Sequence, residues 1–407
     1  MTFFQEPSVN SLLCRVELTI IIHPLLLGLT MKAVIVDWLR SPFHRAHKGK
    51  LTNFRPDEMA GQIAKEIIKR NNISPDLIDD ILIGCAYPEG EQGYNIGRII
   101  TYLGGMPNKV PGVTLNRLCG SSMQAVLSAS ANIEVGWGEC FLCGGVESMS
   151  RVKRRGFNWS PSPILQQDFP DAYIGMVETA ENVAKRWNIS RREQEQFALL
   201  SHKKATKATE SGYFEKAILP ISCSGIEVMD DGCIREKSSL ESMSKLSPVL
   251  GENTSITAAT ASPLTDGASF MIICSENFAN EYDLKPMARI ISGAVIGCNP
   301  DEMGIGPIQA SRLALKRSKW NIDDVDIFEL NEAFSSQSIA VIKELGIDIN
   351  KVNIDGGSLA IGHPLGASGV RIIGRAATIL QRTNSKRALV SMCIGGGMGI
   401  AITLENT

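Results

Sequence analysis

Cys119 stands in the stretch Asn116-Arg117-Leu118-Cys119-Gly120-Ser121-Ser122-Met123-Gln124-Ala125. The apolar run Val110–Leu115 before it reads as a buried strand, and the small-residue run Ala125–Ala131 after it as a helix. A thiol on such a turn faces the free N–H groups and positive dipole end of the helix, which favour the thiolate. The same residues also suit a buried cysteine that packs as a small hydrophobe. Three further glycine-flanked stretches carry residue types that fit one reaction. Asn331-Glu332-Ala333-Phe334 follows a strand, Gly362-His363-Pro364-Leu365-Gly366-Ala367-Ser368-Gly369 forms a turn before a helix, and Cys393-Ile394-Gly395-Gly396-Gly397-Met398-Gly399 forms a turn between strands. His363 could take the thiol proton, and Cys393 could be a second acid/base. The Gly395–Gly399 run is followed by a strand and no helix, so it does not read as a dinucleotide loop. It can bring backbone N–H groups against a substrate oxygen.

The elements that would position these residues follow from periodicity. Pro56–Asn72 puts Met59, Ile63, Ile67 and Ile68 on one helical face. Ile81–Cys85 and Phe141–Gly145 read as buried strands, Asn95–Leu103 as a helix, and a first strand opens at Met31. Strand character returns at Ala268–Cys274 and Ala288–Ile296. Helices are predicted at Gly306–Lys319, Ser336–Leu345 and Gly369–Arg382, with strands at Val325–Leu330, Arg387–Cys393 and Ile400–Leu404. This alternation predicts βαβ units on a largely parallel sheet. Asp80 to Cys119 spans 39 residues (119 − 80), and Asp326 to His363 spans 37 (363 − 326). Each interval ends on a turn with a reactive residue, which predicts duplicated halves that bring the two turns together.

Residues 151–264 carry more charge and few apolar runs, with helices at Thr179–Trp187 and Arg191–Ser211. They read as an inserted loop domain. The expected division is 31–150 plus 265–286 for the N-terminal half, 151–264 for the insertion and 287–407 for the C-terminal half. Residues 1–30 lack a basic n-region, and Ile20–Leu29 is too short to span a bilayer. They are expected to be an over-extended start or a disordered leader.

The 407 residues are 44% hydrophobic and 21% charged with a net charge of −2, which fits a globular enzyme and gives no reason to expect a nucleic-acid or membrane-surface partner. Ten cysteines without regular spacing predict reduced thiols. Cys140 and Cys143 form a C-x-x-C inside a strand, where they would point to opposite faces, and no second pair completes a metal site.

The four stretches together resemble the signature motifs of the thiolases, and the resemblance runs from about Met31 to the C-terminus. Glu91-Gln92-Gly93-Tyr94-Asn95-Ile96 and Asn116-Arg117-Leu118 are similar to the degradative 3-ketoacyl-CoA branch. The resemblance implies a thiolase-like α/β fold: duplicated βαβαβαββ halves, a five-layer α/β/α/β/α core and an inserted loop domain. It implies Cys119 as the nucleophile, His363 as its base and Cys393 as acid/base at the α-carbon. Asn331 would hold a water in one oxyanion hole, and the N–H groups of Cys119 and Gly395 would form another. Ser262, Met176, Ala333 and Phe334 fall where the family contacts coenzyme A, the co-substrate; no prosthetic group or metal is implied. The departure at Ala258-Ala259-Thr260-Ala261-Ser262 bears on those contacts, and Gly175 favours the degradative branch. A homodimer or homotetramer is implied, with a β-oxidation hydratase/dehydrogenase subunit as a further partner and a cytoplasmic location, or a mitochondrial or peroxisomal matrix in a eukaryote. The rival readings are a biosynthetic acetoacetyl-CoA thiolase, a ketoacyl synthase and a non-catalytic carrier.

Overall fold

Alternating apolar side chains along β1 (Ala33–Arg40) face two different cores, and strands with this double burial recur along the chain. The computed structural model describes residues 32–407. The leader expectation for residues 1–30 lies outside the described residues. After β1 come β2 (His44–Arg45), α1 (Pro56–Arg70), β3 (Asp80–Gly84), α2 (Ile96–Leu103), β4 (Gly112–Leu115), α3 (Ser121–Glu134) and β5 (Cys140–Ser148). A long excursion holds α4 (Pro163–Asp168), α5 (Met176–Arg186), α6 (Arg191–Glu210), the hairpin β6 (Ile221–Cys223) and β7 (Ile226–Val228), and α7 (Leu240–Ser244). The chain returns through β8 (Thr265–Ser275) and α8 (Glu276–Glu281). The second half runs β9 (Ala288–Gly297), α9 (Gly306–Ser318), β10 (Ile327–Leu330), α10 (Ser335–Leu345), α11 (Ser358–Ile361), α12 (Ser368–Thr383), β11 (Arg387–Ile394) and β12 (Met398–Asn406).

The main sheet has the order β10-β11-β12-β9-β1-β8-β5-β3-β4. Read outward from its centre, β1, β8, β5, β3 and β4 mirror β9, β12, β11, β10 and a last position occupied by Val352, which makes a single parallel bridge to Phe328. The second copy of the third strand has thus shrunk to one residue. The sheet is mixed rather than largely parallel. Among the described strands only β3–β4, β3–β5 and β10–β11 run parallel, because β8 and β12 return directly beside β5 and β11 in the opposite sense. β4 is also not the buried strand expected: it is the sheet's edge, and its four residues are half-exposed.

The duplication holds with its register shifted by one residue. Asp79, not Asp80, matches Asp326. Asp79 Oδ2 accepts from the N–H groups of Glu139 and Cys140, as Asp326 Oδ2 does from Lys386 and Arg387. Among the described residues the halves share strand pairing only between β1 and β9, at Val34–Arg289 and Ile35–Ala288. Between them lie α3 and α12, whose Met123, Val126, Val370 and Ile373 share one core with Met271 of the first half and Val390 of the second. On the outer faces α1 and α2 cover Ile81 and Ile83, while α9 and α10 cover Phe328 and Leu389. These are five layers, α/β/α/β/α. Gly369 permits the central crossing, because a Cβ there would stand 2.3 Å from the Met123 nitrogen. Cys140 and Cys143 do point into opposite cores.

Candidate active site

The Cys119 turn is held by its own side chains. Asn116 Oδ1 accepts from the Leu118 N–H at 2.9 Å, and Ser121 Oγ accepts from the Arg117 N–H at 2.9 Å while donating to the Leu118 carbonyl at 2.6 Å. These bonds hold Leu118 at φ 45°, a left-handed conformation that costs a non-glycine residue about 1–3 kcal/mol. The kink delivers Cys119 from the end of β4 to the head of α3. The helix end is not the only influence on this thiol. Burial pushes the Cys119 thiol up to about 11, although the N–H groups of Gly395 and of Cys119 itself pull the other way. Desolvation of the charge outweighs the helix terminus, so the resting group is a thiol that needs a base.

His363 is 4% exposed, at a turn set by Gly362 at φ 108°. Its Nδ1 lies 2.6 Å from Ser368 Oγ, and that hydroxyl donates its single proton to the Pro364 carbonyl at 2.9 Å. Ser368 therefore accepts from Nδ1–H, which leaves the lone pair on Nε2. Asn331 Nδ2 sits 3.4 Å from that Nε2. Burial, with the nearby Arg371 charge, holds His363 down to about 3, so the resting ring is neutral and its Nε2 carries no proton.

A cavity of about 370 Å³ gathers Cys119, His363, Cys393 and Gly395 on its wall together with Met176, Ser262, Ala333 and Phe334. Asn331 is fully buried behind it and approaches through His363. Cys393, 1% exposed, is the last residue but one of β11, and burial beside Cys119 pushes its thiol well above the usual range. The Ser262 N–H donates to the Ala333 carbonyl at 2.9 Å, which pairs the two segments. Ala261 and Ser262 also line a second cavity of about 280 Å³, which carries Arg45 and Arg235. The Ala258–Ser262 departure therefore forms the partition between two cavities. The far wall of the first holds Tyr87, Met149 and Arg154.

Glu147 was not singled out by sequence. It lies on β5 with no exposed surface. Its carboxylate accepts from the N–H groups of Ala86 (2.8 Å), Tyr87 (3.2 Å) and Gly366 (2.9 Å) and from Gln92 Nε2 (2.9 Å). It thereby ties the Tyr87 wall to the turn that carries His363. The available signal was an acidic residue inside a strand otherwise free of charge.

Two family models match the chain: "Thiolase, N-terminal domain" over residues 33–277 and "Thiolase, C-terminal domain" over 284–406. The chain belongs to the thiolase family. The 3-ketoacyl-CoA thiolase of Bacillus subtilis is 39% identical over 388 residues, 92% of this chain and 99% of its own. That of Pseudoalteromonas translucida is 43% identical over 383 residues, 91% of this chain and 98% of its own. Among solved structures, human mitochondrial 3-ketoacyl-CoA thiolase superposes with a TM-score of 0.85 at 35% identity, covering 93% of this thiolase and 100% of the human chain. The acetyl-CoA acetyltransferase of Bacillus anthracis also gives 0.85, at 36% identity, covering 93% and 99%. Among the described residues of this thiolase no helix is long and apolar enough to cross a membrane.

Proposed function

We propose that this thiolase is a 3-ketoacyl-CoA thiolase, an acyltransferase that cleaves 3-ketoacyl-CoA with coenzyme A to acetyl-CoA and a shortened acyl-CoA in fatty-acid β-oxidation. The observation that carries the reading is the single cavity shared by Cys119, neutral His363, Cys393 and the Gly395 turn. His363 Nε2 takes the Cys119 proton, and the thiolate attacks C3 of the substrate. The N–H groups of Cys119 and Gly395 face the sulfur, so they receive the oxyanion on the carbon bonded to it. The C2–C3 bond breaks, and its electrons pass to an acetyl-CoA enolate. That second oxyanion is left to Asn331 and His363, directly or through a water. Cys393 protonates C2. Coenzyme A then returns a proton to Cys393 and attacks the acyl group, and Cys119 leaves with the proton held by His363. This sequence predicts ping-pong kinetics.

Met176, Ser262, Ala333 and Phe334 are proposed to hold the pantetheine arm, while the Arg45 and Arg235 cavity takes the phosphates. The domain division set out from sequence, a homodimer or homotetramer, a hydratase/dehydrogenase partner and a cytoplasmic or matrix location complete the proposal. The second reading is an acetoacetyl-CoA-forming thiolase, favoured by the equal likeness to an acetyl-CoA acetyltransferase. Thiolysis rates across a series of 3-ketoacyl-CoA lengths test the choice. Turnover rising beyond four carbons supports the degradative reading; activity confined to acetoacetyl-CoA, with efficient condensation of acetyl-CoA, overturns it.

A further inference from the structure

We propose that Ser358, held by Arg371, is a positioning residue that fixes which way the Asn331 amide faces. Ser358 opens α11, just ahead of the His363 turn, and has no exposed surface. Arg371 Nη2 donates to Ser358 Oγ at 2.7 Å, and Ser358 Oγ lies 2.6 Å from Asn331 Oδ1. A guanidinium has no acceptor, so the hydroxyl must accept from Arg371 and spend its proton on Asn331. The amide oxygen is thereby turned away from the site. Its Nδ2 is left facing His363 Nε2, where a donor can serve an oxyanion.

The source of this order is a buried charge. Arg371 is 2% exposed, with Glu329 Oε2 3.9 Å from its Nη1, and the Arg371 Nε and Nη1 have no hydrogen-bond partner. The Ser358 hydroxyl is the one side-chain acceptor bonded to this guanidinium among the described residues. Without the hydroxyl, Asn331 Oδ1 loses its donor, and nothing on that side distinguishes the amide from its flipped form. The flipped form aims a carbonyl dipole at the developing enolate, which opposes the charge it should stabilise.

The inference rests on the thiolase reading above, and the two fail differently. Wild-type protein with no thiolysis at any chain length defeats that reading. The positioning role is tested by Ser358→Ala, Ser358→Thr and Ser358→Val. The last two share a shape and differ in the hydroxyl, so their comparison stands even if the cavity left by alanine destabilises the protein. Expected for Ser358→Ala and Ser358→Val is a fall in thiolysis kcat on the order of tenfold to a hundredfold, at or below the loss from removing one oxyanion donor outright, with KM for coenzyme A unchanged. Acyl transfer from a simple acyl-CoA to Cys119, read by mass spectrometry, should keep its rate, because the Gly395 side serves that step. Ser358→Thr should restore kcat. Equal kcat for the threonine and valine variants, or parallel loss of both half-reactions, overturns the proposal.

Discussion

Replacing Glu147 by glutamine changes one atom and should disable the site. The carboxylate receives four N–H donors, two on each oxygen. An amide keeps one accepting oxygen, so two of those bonds are lost and its NH₂ meets two fully buried donors. Each unsatisfied buried donor costs about 1–3 kcal/mol, which gives a loss of roughly 2–6 kcal/mol. That is a large part of the 5–15 kcal/mol typical of a folded domain. The remaining effect is geometric: the bonds to Tyr87 and Gly366 hold the Cys119-side wall against the His363 turn, so kcat should fall even under conditions where the variant is folded. Urea unfolding and thiolysis kinetics on the same preparations measure both. Glu147→Gln within about 0.5 kcal/mol of wild type, the range of ordinary surface substitutions, would refute the assignment of Glu147 as the tie between the halves.

Cys119→Ser should lower turnover on the order of a thousandfold or more, because a hydroxyl cannot be deprotonated by a neutral imidazole to the same extent; a variant that keeps a tenth of wild-type thiolysis removes Cys119 from the role. Cys393→Ala should still form an acyl-enzyme from acyl-CoA but fail to cleave 3-ketoacyl-CoA and to exchange the α-protons of acetyl-CoA with deuterated water, as read by NMR. His363 and His202 are held down to about 3 and about 4, chiefly by burial. Their unfolded forms bind protons that the folded forms refuse, so stability is lost as pH falls from about 6.5 toward those values. From pH 6.5 to 5 the two together should remove about 3 kcal/mol, and His202→Gln should roughly halve that loss in urea titrations at each pH.

The parts of the fold that sequence made legible are those with strong periodicity or unusual local chemistry. Met59, Ile63 and Ile67 mark α1 because a two-sided helix must repeat at this spacing. The four glycine-flanked stretches announced the reactive turns, and one cavity collects Cys119, His363 and Cys393. What escaped depends on neighbours distant in the chain. The edge position of β4 and the return sense of β8 are set by pairing order, which local pattern does not encode. The protonation of Cys119 depends on how much protein closes over it, which a helix N-terminus alone does not reveal. Glu147 looks like any acidic residue until its four donors, from two parts of the chain, are assembled around it.

The central position of β1 carries a consequence for synthesis. Its partners are β8, which begins 225 residues after its end (265 − 40), and β9, which comes later still. At about 5–20 residues per second, a ribosome leaves this strand without either partner for on the order of ten to fifty seconds. β3, β4 and β5 can meet far sooner, since they lie close together in the chain. The nascent protein thus holds a preformed parallel ribbon beside an apolar strand with both edges open. That interval is when it is most exposed to misassociation, and a translational pause inside the excursion would lengthen it.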